Sequence, residues 1–205
     1  VSSPWVETYT GKRFHLLDPQ PDEIDIIDIA HALSQQCRYT GHTRRFYSVA
    51  EHSVHVSLLV SAPSRLVGLL HDASEAYVSD ISRPVKMLTP VGPPYYEVEE
   101  RIMRAIAAKF RFPWPPPKEV KGADNIMLLT EKDQLMTNLS WDEDVSSAEA
   151  RATYPSGGLD YEMAPLVGYL PRVAERIFME RFDELTAVPG PSNREAVMRA
   201  ATLED

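Results

Sequence analysis

The stretch Leu69-Leu70-His71-Asp72-Ala73-Ser74-Glu75-Ala76-Tyr77 sets an imidazole and a carboxylate side by side in an apolar helical pattern. A carboxylate buried there without a partner costs several kcal/mol or is driven neutral. Any fold that accepts this stretch must bring a compensating group to it, and a divalent cation is the leading candidate.

Apolar residues recur at helical spacing through most of the chain, and strand signals are confined to its start. Glu7 to Leu17 carries β-prone residues around Gly11, which predicts a short hairpin. Ile24, Ile27, Ala30 and Leu33 predict a helix from about Pro21 to Gln35, in which His31 reads as a packed or surface side chain. Cys37 to Tyr47 reads as a cationic, aromatic loop. Ser48 and Glu51 form a capping-box pattern at the head of a helix that carries His52 and His55. Pro63-Ser64 marks a break and a new N-cap, from which the next helix runs through Leu66 to His71-Asp72 and Glu75. These two helices should form an αα-hairpin.

Pro84 argues against a helix through Asp80 to Lys86, so that segment is expected to be a structured loop. Further helices are expected at about Tyr95–Phe110, Lys118–Met136 and Pro171–Leu185. The stiff run Pro113-Trp114-Pro115-Pro116-Pro117 connects the first two, and a polar region over Thr137–Asp160 with a Gly157-Gly158 turn precedes the last. The tail after Pro189 has weak signals. The expectation is an all-α fold in one domain over 1–205, with the hairpin in 1–20 and the tail 187–205 at its periphery.

A chain of 205 residues suits one sizeable core. Its net charge of −9 argues against a general nucleic-acid binder but leaves room for a small phosphorylated substrate. Cys37 is the only cysteine, so no internal disulfide forms, and no apolar run approaches the ~18 residues of a membrane span. The expected location is the cytoplasm. A GxxxxGK phosphate loop is missing, which removes support for NTPase-type nucleotide binding.

Four residues stand out as a set: His52, His71, Asp72 and Asp124, each on an expected helix among apolar neighbours. Two imidazoles and two carboxylates suit Mn, Co, Fe, Zn, Ni or Mg rather than Ca. His42 and His55 have the right chemistry but weaker positions, since His55 lies three residues from His52 and would need the same helix face to serve twice. Cys37 reads as a buried small residue rather than a nucleophile.

In that order on successive helices, these four resemble the H…HD…D signature of the HD-domain metal-dependent phosphohydrolases. The strings Glu51-His52-Ser53, His71-Asp72-Ala73-Ser74-Glu75, Asp80 with Pro84-Val85-Lys86, and Ala123-Asp124 are similar to those of bacterial HD-domain 5′-deoxynucleotidases and of related phage deoxynucleotide triphosphohydrolases. The similarity runs from about Gln36 to Met136. It implies His52, His71, Asp72 and Asp124 as metal ligands, Glu75 as the group assisting the attacking water, and Asp80 as a second catalytic carboxylate. It also implies Arg38 as a phosphate contact, with Arg44 or Arg45 as substitutes, and Tyr39 near the base. Lys86 would add a second cation for phosphate.

The activity so implied is metal-dependent hydrolysis of deoxynucleotides, most simply release of phosphate from deoxynucleoside 5′-monophosphates. The alternatives are release of triphosphate from a substrate such as dATP, and a non-catalytic scaffold that binds metal or nucleotide. Hydrolysis of a (p)ppGpp-type alarmone fits less well, because relatives of that kind continue the HDxxE string with Asp where Ala76 stands here. The resemblance also implies a homodimer, with the Tyr95–Phe110 helix or the last helix as contact surface.

Overall fold

Thr8 to Lys12 turns the chain between the two-residue strands β1 (Val6–Glu7) and β2 (Arg13–Phe14), antiparallel with Val6 opposite Phe14. Gly11, at φ +80°, closes the turn by donating its N–H to the Thr8 carbonyl at 2.9 Å. Phe14 is fully buried and stacks on Tyr77 with ring centroids 3.7 Å apart, which joins the hairpin to the core.

The rest of the computed structural model, which describes residues 4–137 and 165–186, is helical, so the fold is all-α with one short hairpin. The helices are α1 (Ile26–Gln35), α2 (Val49–Leu59), α3 (Arg65–Leu70), α4 (Glu75–Val78), α5 (Arg83–Leu88), α6 (Gly92–Phe110), α7 (Lys118–Leu135) and α8 (Pro171–Thr186). Beyond Thr137, the expected polar loop with its Gly157-Gly158 turn lies outside the described residues, as does the tail after Pro189. Among the described residues, no helix is long and apolar enough to cross a membrane.

α2 is the axis of the packing. Val49 through Val54, Val56 and Ser57 are all buried, so the first turns of the helix are enclosed on every face, and only near its end does a side open, at Leu58. It contacts α1, α3, α7 and α8. The expected pairing of α2 with α3 is present, and Gly68 permits it: a side chain there would stand 3.1 Å from the Ser57 Cα.

Local hydrogen bonding shifts several expected boundaries. The helix expected from Pro21 instead begins at Ile26, after a short 3-10 turn at Pro21–Glu23. Asp25 takes extended backbone and accepts from the Ile27 N–H, so it caps α1 and interrupts a continuous helix. The loop expected over Asp80–Lys86 contains the start of α5, because Pro84 falls in the first turn, where no N–H is needed. Ser64 does stand before α3, but its hydroxyl donates to Glu119 rather than capping the helix.

At the head of α2, Ser48 accepts from the Glu51 N–H at 3.1 Å, as expected, but Glu51 does not reach back. Its buried carboxylate instead accepts the N–H groups of Gly168 at 3.0 Å and Tyr169 at 2.8 Å, tying the segment before α8 to the core. Gly168 is required at that point, since its φ is +72° and a Cβ would lie 2.5 Å from the Phe46 carbonyl oxygen.

Glu51→Ala is expected to destabilise the fold by about 1–3 kcal/mol, because two part-buried N–H groups lose a charged acceptor. Ser48→Ala should cost about 1 kcal/mol through loss of the cap. Urea titrations of both variants check this, and a Glu51→Ala protein as stable as the parent would refute the role given to Glu51.

Candidate metal centre

Three helical segments bring the expected ligands together. α2 supplies His52, the turn after α3 supplies His71 and Asp72, and α7 supplies Asp124. The helix expected to run unbroken through Glu75 tightens at 71–74: Ala73, Glu75, Ala76 and Tyr77 donate to the carbonyls three residues earlier, at 3.0–3.3 Å. With about three residues per turn, Glu75 falls below Asp72 rather than below His71. This corrects the expectation of an unbroken helix from Leu66 through Glu75.

Both histidines are oriented by their second nitrogen. His71 Nδ1 lies 2.8 Å from the Gly68 carbonyl oxygen, and His52 Nδ1 lies 2.6 Å from Glu131 Oε1. Both partners are acceptors, so each Nδ1 carries a hydrogen, and in the neutral ring each Nε2 presents a lone pair. The two Nε2 atoms stand 3.4 Å apart. Asp72 Oδ2 lies 3.2 Å from His71 Nε2 and 3.8 Å from His52 Nε2.

These separations match a cation with bonds of about 2.0–2.2 Å, whose tetrahedral ligand atoms lie about 3.4 Å apart. His52, His71 and Asp72 form the compact group able to hold such an ion. Asp124 is at its edge, with Oδ1 3.4 Å from His52 Nε2 and Oδ2 held by Lys121 at 2.7 Å. Donor type and separation therefore fit a divalent metal.

The charges point the same way. Burial and the Arg38 guanidinium work against a proton on His52, yet Glu131 and Asp124 outweigh them and raise its pKa to about 9. Burial would raise the Asp72 and Asp124 carboxyls, but His71 beside the first and His52 and Lys121 beside the second hold both below the usual range. The cluster attracts positive charge. Glu75 behaves oppositely: burial, then Asp72 and Asp80, push it well above the ordinary carboxyl value. Its Oε1 faces Lys86 Nζ at 3.3 Å, while Oε2 is buried with no hydrogen-bond partner.

The centre opens into a cleft of about 1230 Å³ whose walls include Arg38, Tyr39, Glu75, Asp80 and Lys86. Arg38 Nη1 stands 3.7 Å from Asp72 Oδ2. Arg44 and Arg45 do not line this cleft, and the Arg45 side chain donates instead to the Leu166 carbonyl. Lys86 is held between Glu75 and Glu99, 3.1 Å from the latter. Asp80 is fixed through its backbone, which donates to Gln36 Oε1 at 3.0 Å.

Neither His42 nor His55 joins the cluster. His42 is exposed, and burial together with nearby His52 lowers His55 to about 4. Cys37 pairs by backbone with Ser48 and does not line the cleft.

Glu131 was not among the expected site residues, yet it accepts from His52, from Arg38 Nε at 3.0 Å and from the Tyr39 hydroxyl at 2.7 Å. Burial would raise its pKa, but Arg38 and His52 bring it below the usual value. The available signal was its spacing: Glu131 lies two helical turns after Asp124, on the same face of α7. Gln36 was also missed. It donates to the Glu75 carbonyl at 3.0 Å while accepting from Asp80, and so pins both ends of the 75–80 segment.

No family model matches the chain. It is 37% identical over 144 residues to an uncharacterized protein of Rhodobacter capsulatus, covering 64% of this chain and 72% of that one. It is 38% identical over 182 residues to the uncharacterized protein YfdR of Escherichia coli K12, covering 89% of this chain and 96% of the relative. On that similarity, which spans nearly the whole of the relative, the chain belongs to the same protein family as YfdR.

Proposed function

We propose that the chain is a metal-dependent phosphohydrolase of the HD-domain type that releases phosphate from deoxynucleoside 5′-monophosphates. The observation that carries this reading is the pairing of a metal-competent donor set with a guanidinium, Arg38 Nη1 lying 3.7 Å from Asp72 Oδ2. A phosphoryl group carries its charge on several oxygens, and a cation beside a guanidinium neutralises more than one of them.

His52, His71 and Asp72 would hold the metal, with Asp124 completing the set. A divalent ion bound there supplies a Lewis acid and makes water nucleophilic near neutral pH. The chain's own groups do the rest. Arg38, held at Nε by Glu131, binds phosphoryl oxygen through its remaining nitrogens. Glu75 receives the proton of the attacking water, and its unpartnered Oε2 is the acceptor for it. Positive charge among His52, His71 and Asp72 opposes the upward shift of Glu75 and favours its ionised form. Asp80 and Lys86 flank Glu75 in the cleft and set the field around it. Tyr39 on one side, with Trp114, Met103 and Leu128 elsewhere in the walls, offers apolar surface for sugar and base.

Triphosphate release from a deoxynucleoside triphosphate is the second reading. The size of the cleft favours it, since about 1230 Å³ exceeds the ~300–1,000 Å³ of common small-ligand pockets. Arg83 adds a further cation to the wall. Chromatography of parallel dATP and dAMP reactions separates the two. A scaffold that only binds is disfavoured by the buried, unpartnered Glu75 carboxylate oxygen, which has no structural bond to explain it.

Chelation is expected to abolish phosphate release, and readdition of a divalent metal to restore it. Turnover that survives chelation, or its absence for every deoxynucleotide under every metal, defeats the proposal. His71→Ala and Asp72→Ala should lose both bound metal and activity, read by elemental analysis and phosphate assay. Glu75→Gln should keep its metal while kcat falls by roughly 10²–10⁴-fold, the usual span for losing a general base.

A further inference from the structure

We propose that Glu131 is the positioning residue of the site, a single buried carboxylate that fixes the tautomer of His52 and the aim of Arg38 together. The inference rests on the metal-centre reading above. It adds that cation binding and phosphate binding depend on one and the same side chain.

Three donors from two parts of the chain converge on Glu131. His52 Nδ1, from α2, approaches Oε1 at 2.6 Å, while Arg38 Nε and the Tyr39 hydroxyl, from the loop before α2, approach Oε2 at 3.0 and 2.7 Å. The residue is fully buried, so water cannot replace a lost partner. Such a donor set needs an acceptor at both oxygens, which among side chains of this size only a carboxylate offers.

The consequence for His52 is directional. With its Nδ1 hydrogen donated to Glu131, the neutral imidazole has its lone pair on Nε2, the atom that faces His71 Nε2 at 3.4 Å. The consequence for Arg38 is a fixed fork. One edge is taken by Glu131, and the terminal nitrogens are left towards Asp72, with Nη1 at 3.7 Å. Tyr39 and Thr40 both have φ of 55°, a left-handed backbone unusual for such residues, and the Tyr39 hydroxyl bond to Glu131 helps hold it.

An amide of the same shape cannot do both jobs. In Glu131→Gln, an NH₂ turned towards His52 would donate to Nδ1 and leave the imidazole hydrogen on Nε2, where a ligand lone pair is needed. With the amide oxygen turned towards His52 instead, the NH₂ would face two other donors, Arg38 Nε–H and the Tyr39 hydroxyl. Either orientation disables one half of the site without changing its volume.

The test compares the native chain with Glu131→Gln and Glu131→Asp, using Zn²⁺ alone and then inorganic phosphate on the Zn²⁺-loaded protein. In Glu131→Gln, Zn²⁺ affinity from chelator competition is expected to fall roughly 10–100-fold, the range found for the outer partner of a metal-bound histidine. Phosphate affinity should fall with it, and Glu131→Asp should recover most of the Zn²⁺ loss. Native affinities in Glu131→Gln overturn the proposal, as do equal losses in both variants, the pattern a merely structural role would give. Nitrogen-15 NMR of the Zn²⁺-loaded native protein decides independently of whether a variant folds. A hydrogen on His52 Nδ1 and none on Nε2 is expected, and the opposite tautomer overturns the proposal. A native chain that binds no Zn²⁺ removes the metal-centre reading and this proposal together, whereas native binding with an indifferent Glu131→Gln variant removes this proposal alone.

Discussion

A helix whose first turns are enclosed on every side cannot leave the polar side chains there to water, and α2 carries several. Glu51, His52, Ser53 and Ser57 all lie on it and are all buried. The surrounding elements supply most of their partners. Glu51 takes the backbone of Gly168 and Tyr169, His52 takes Glu131 of α7, and Ser57 takes the guanidinium of Arg181 of α8 at 3.0 Å. The polar groups of one helix thus specify how the segment before α8, α7 and α8 itself must lie against it. Apolar burial supplies the driving force, but these bonds select a single arrangement, because each carries a penalty if left unmade.

The same constraint generates the site. A buried imidazole bonded at one nitrogen keeps the other available, so the stabilising His52–Glu131 contact also leaves a reactive atom directed at His71. Around it the acids divide into two kinds. Asp72, Asp124 and Glu131 are held below the usual carboxyl range by cationic or imidazole neighbours, whereas burial, then Asp72 and Asp80, raise Glu75 well above it in spite of Lys86. That separation of carboxyls by environment is what lets neighbouring groups take the different roles of ligand and proton acceptor in the proposed reaction. Lys86, shared between Glu75 and Glu99 on α6, links the proton-handling side of the cleft to its wall.

Much of this was legible from apolar spacing and local chemistry. α6, α7 and α8 fall within a few residues of where periodicity puts them, and Ser48 caps α2 as its pattern implies. The approach of His52, His71 and Asp72 could also be anticipated, since each interrupts an apolar face. What escaped depends on partners distant in sequence or on competition within one turn. Asp25 cuts a continuous helical pattern because its side chain caps better than its backbone continues. The tightening at 71–74 is invisible to a period of 3.6, and it interrupts the helix between His71 and Glu75. Glu51 matches a capping box, but the backbone of residues 168–169, over a hundred positions away, competes for the same carboxylate. Glu131 looks like a surface charge on a helix until the loop bearing Arg38 and Tyr39 folds over it.

The end of α7 is tied to the segment that leads into α8. Gln134, in the last turn of α7, accepts the Leu166 N–H at 2.8 Å, and the Arg44 N–H donates to the Leu135 carbonyl beside it. Glu51 of α2 holds the same segment two residues further on, through the N–H groups of Gly168 and Tyr169. Residues 166–169 thus work as a strap between the helix that carries His52 and the helix that carries Asp124 and Glu131, so a change that loosens the strap would be felt as a change in the distance between the two.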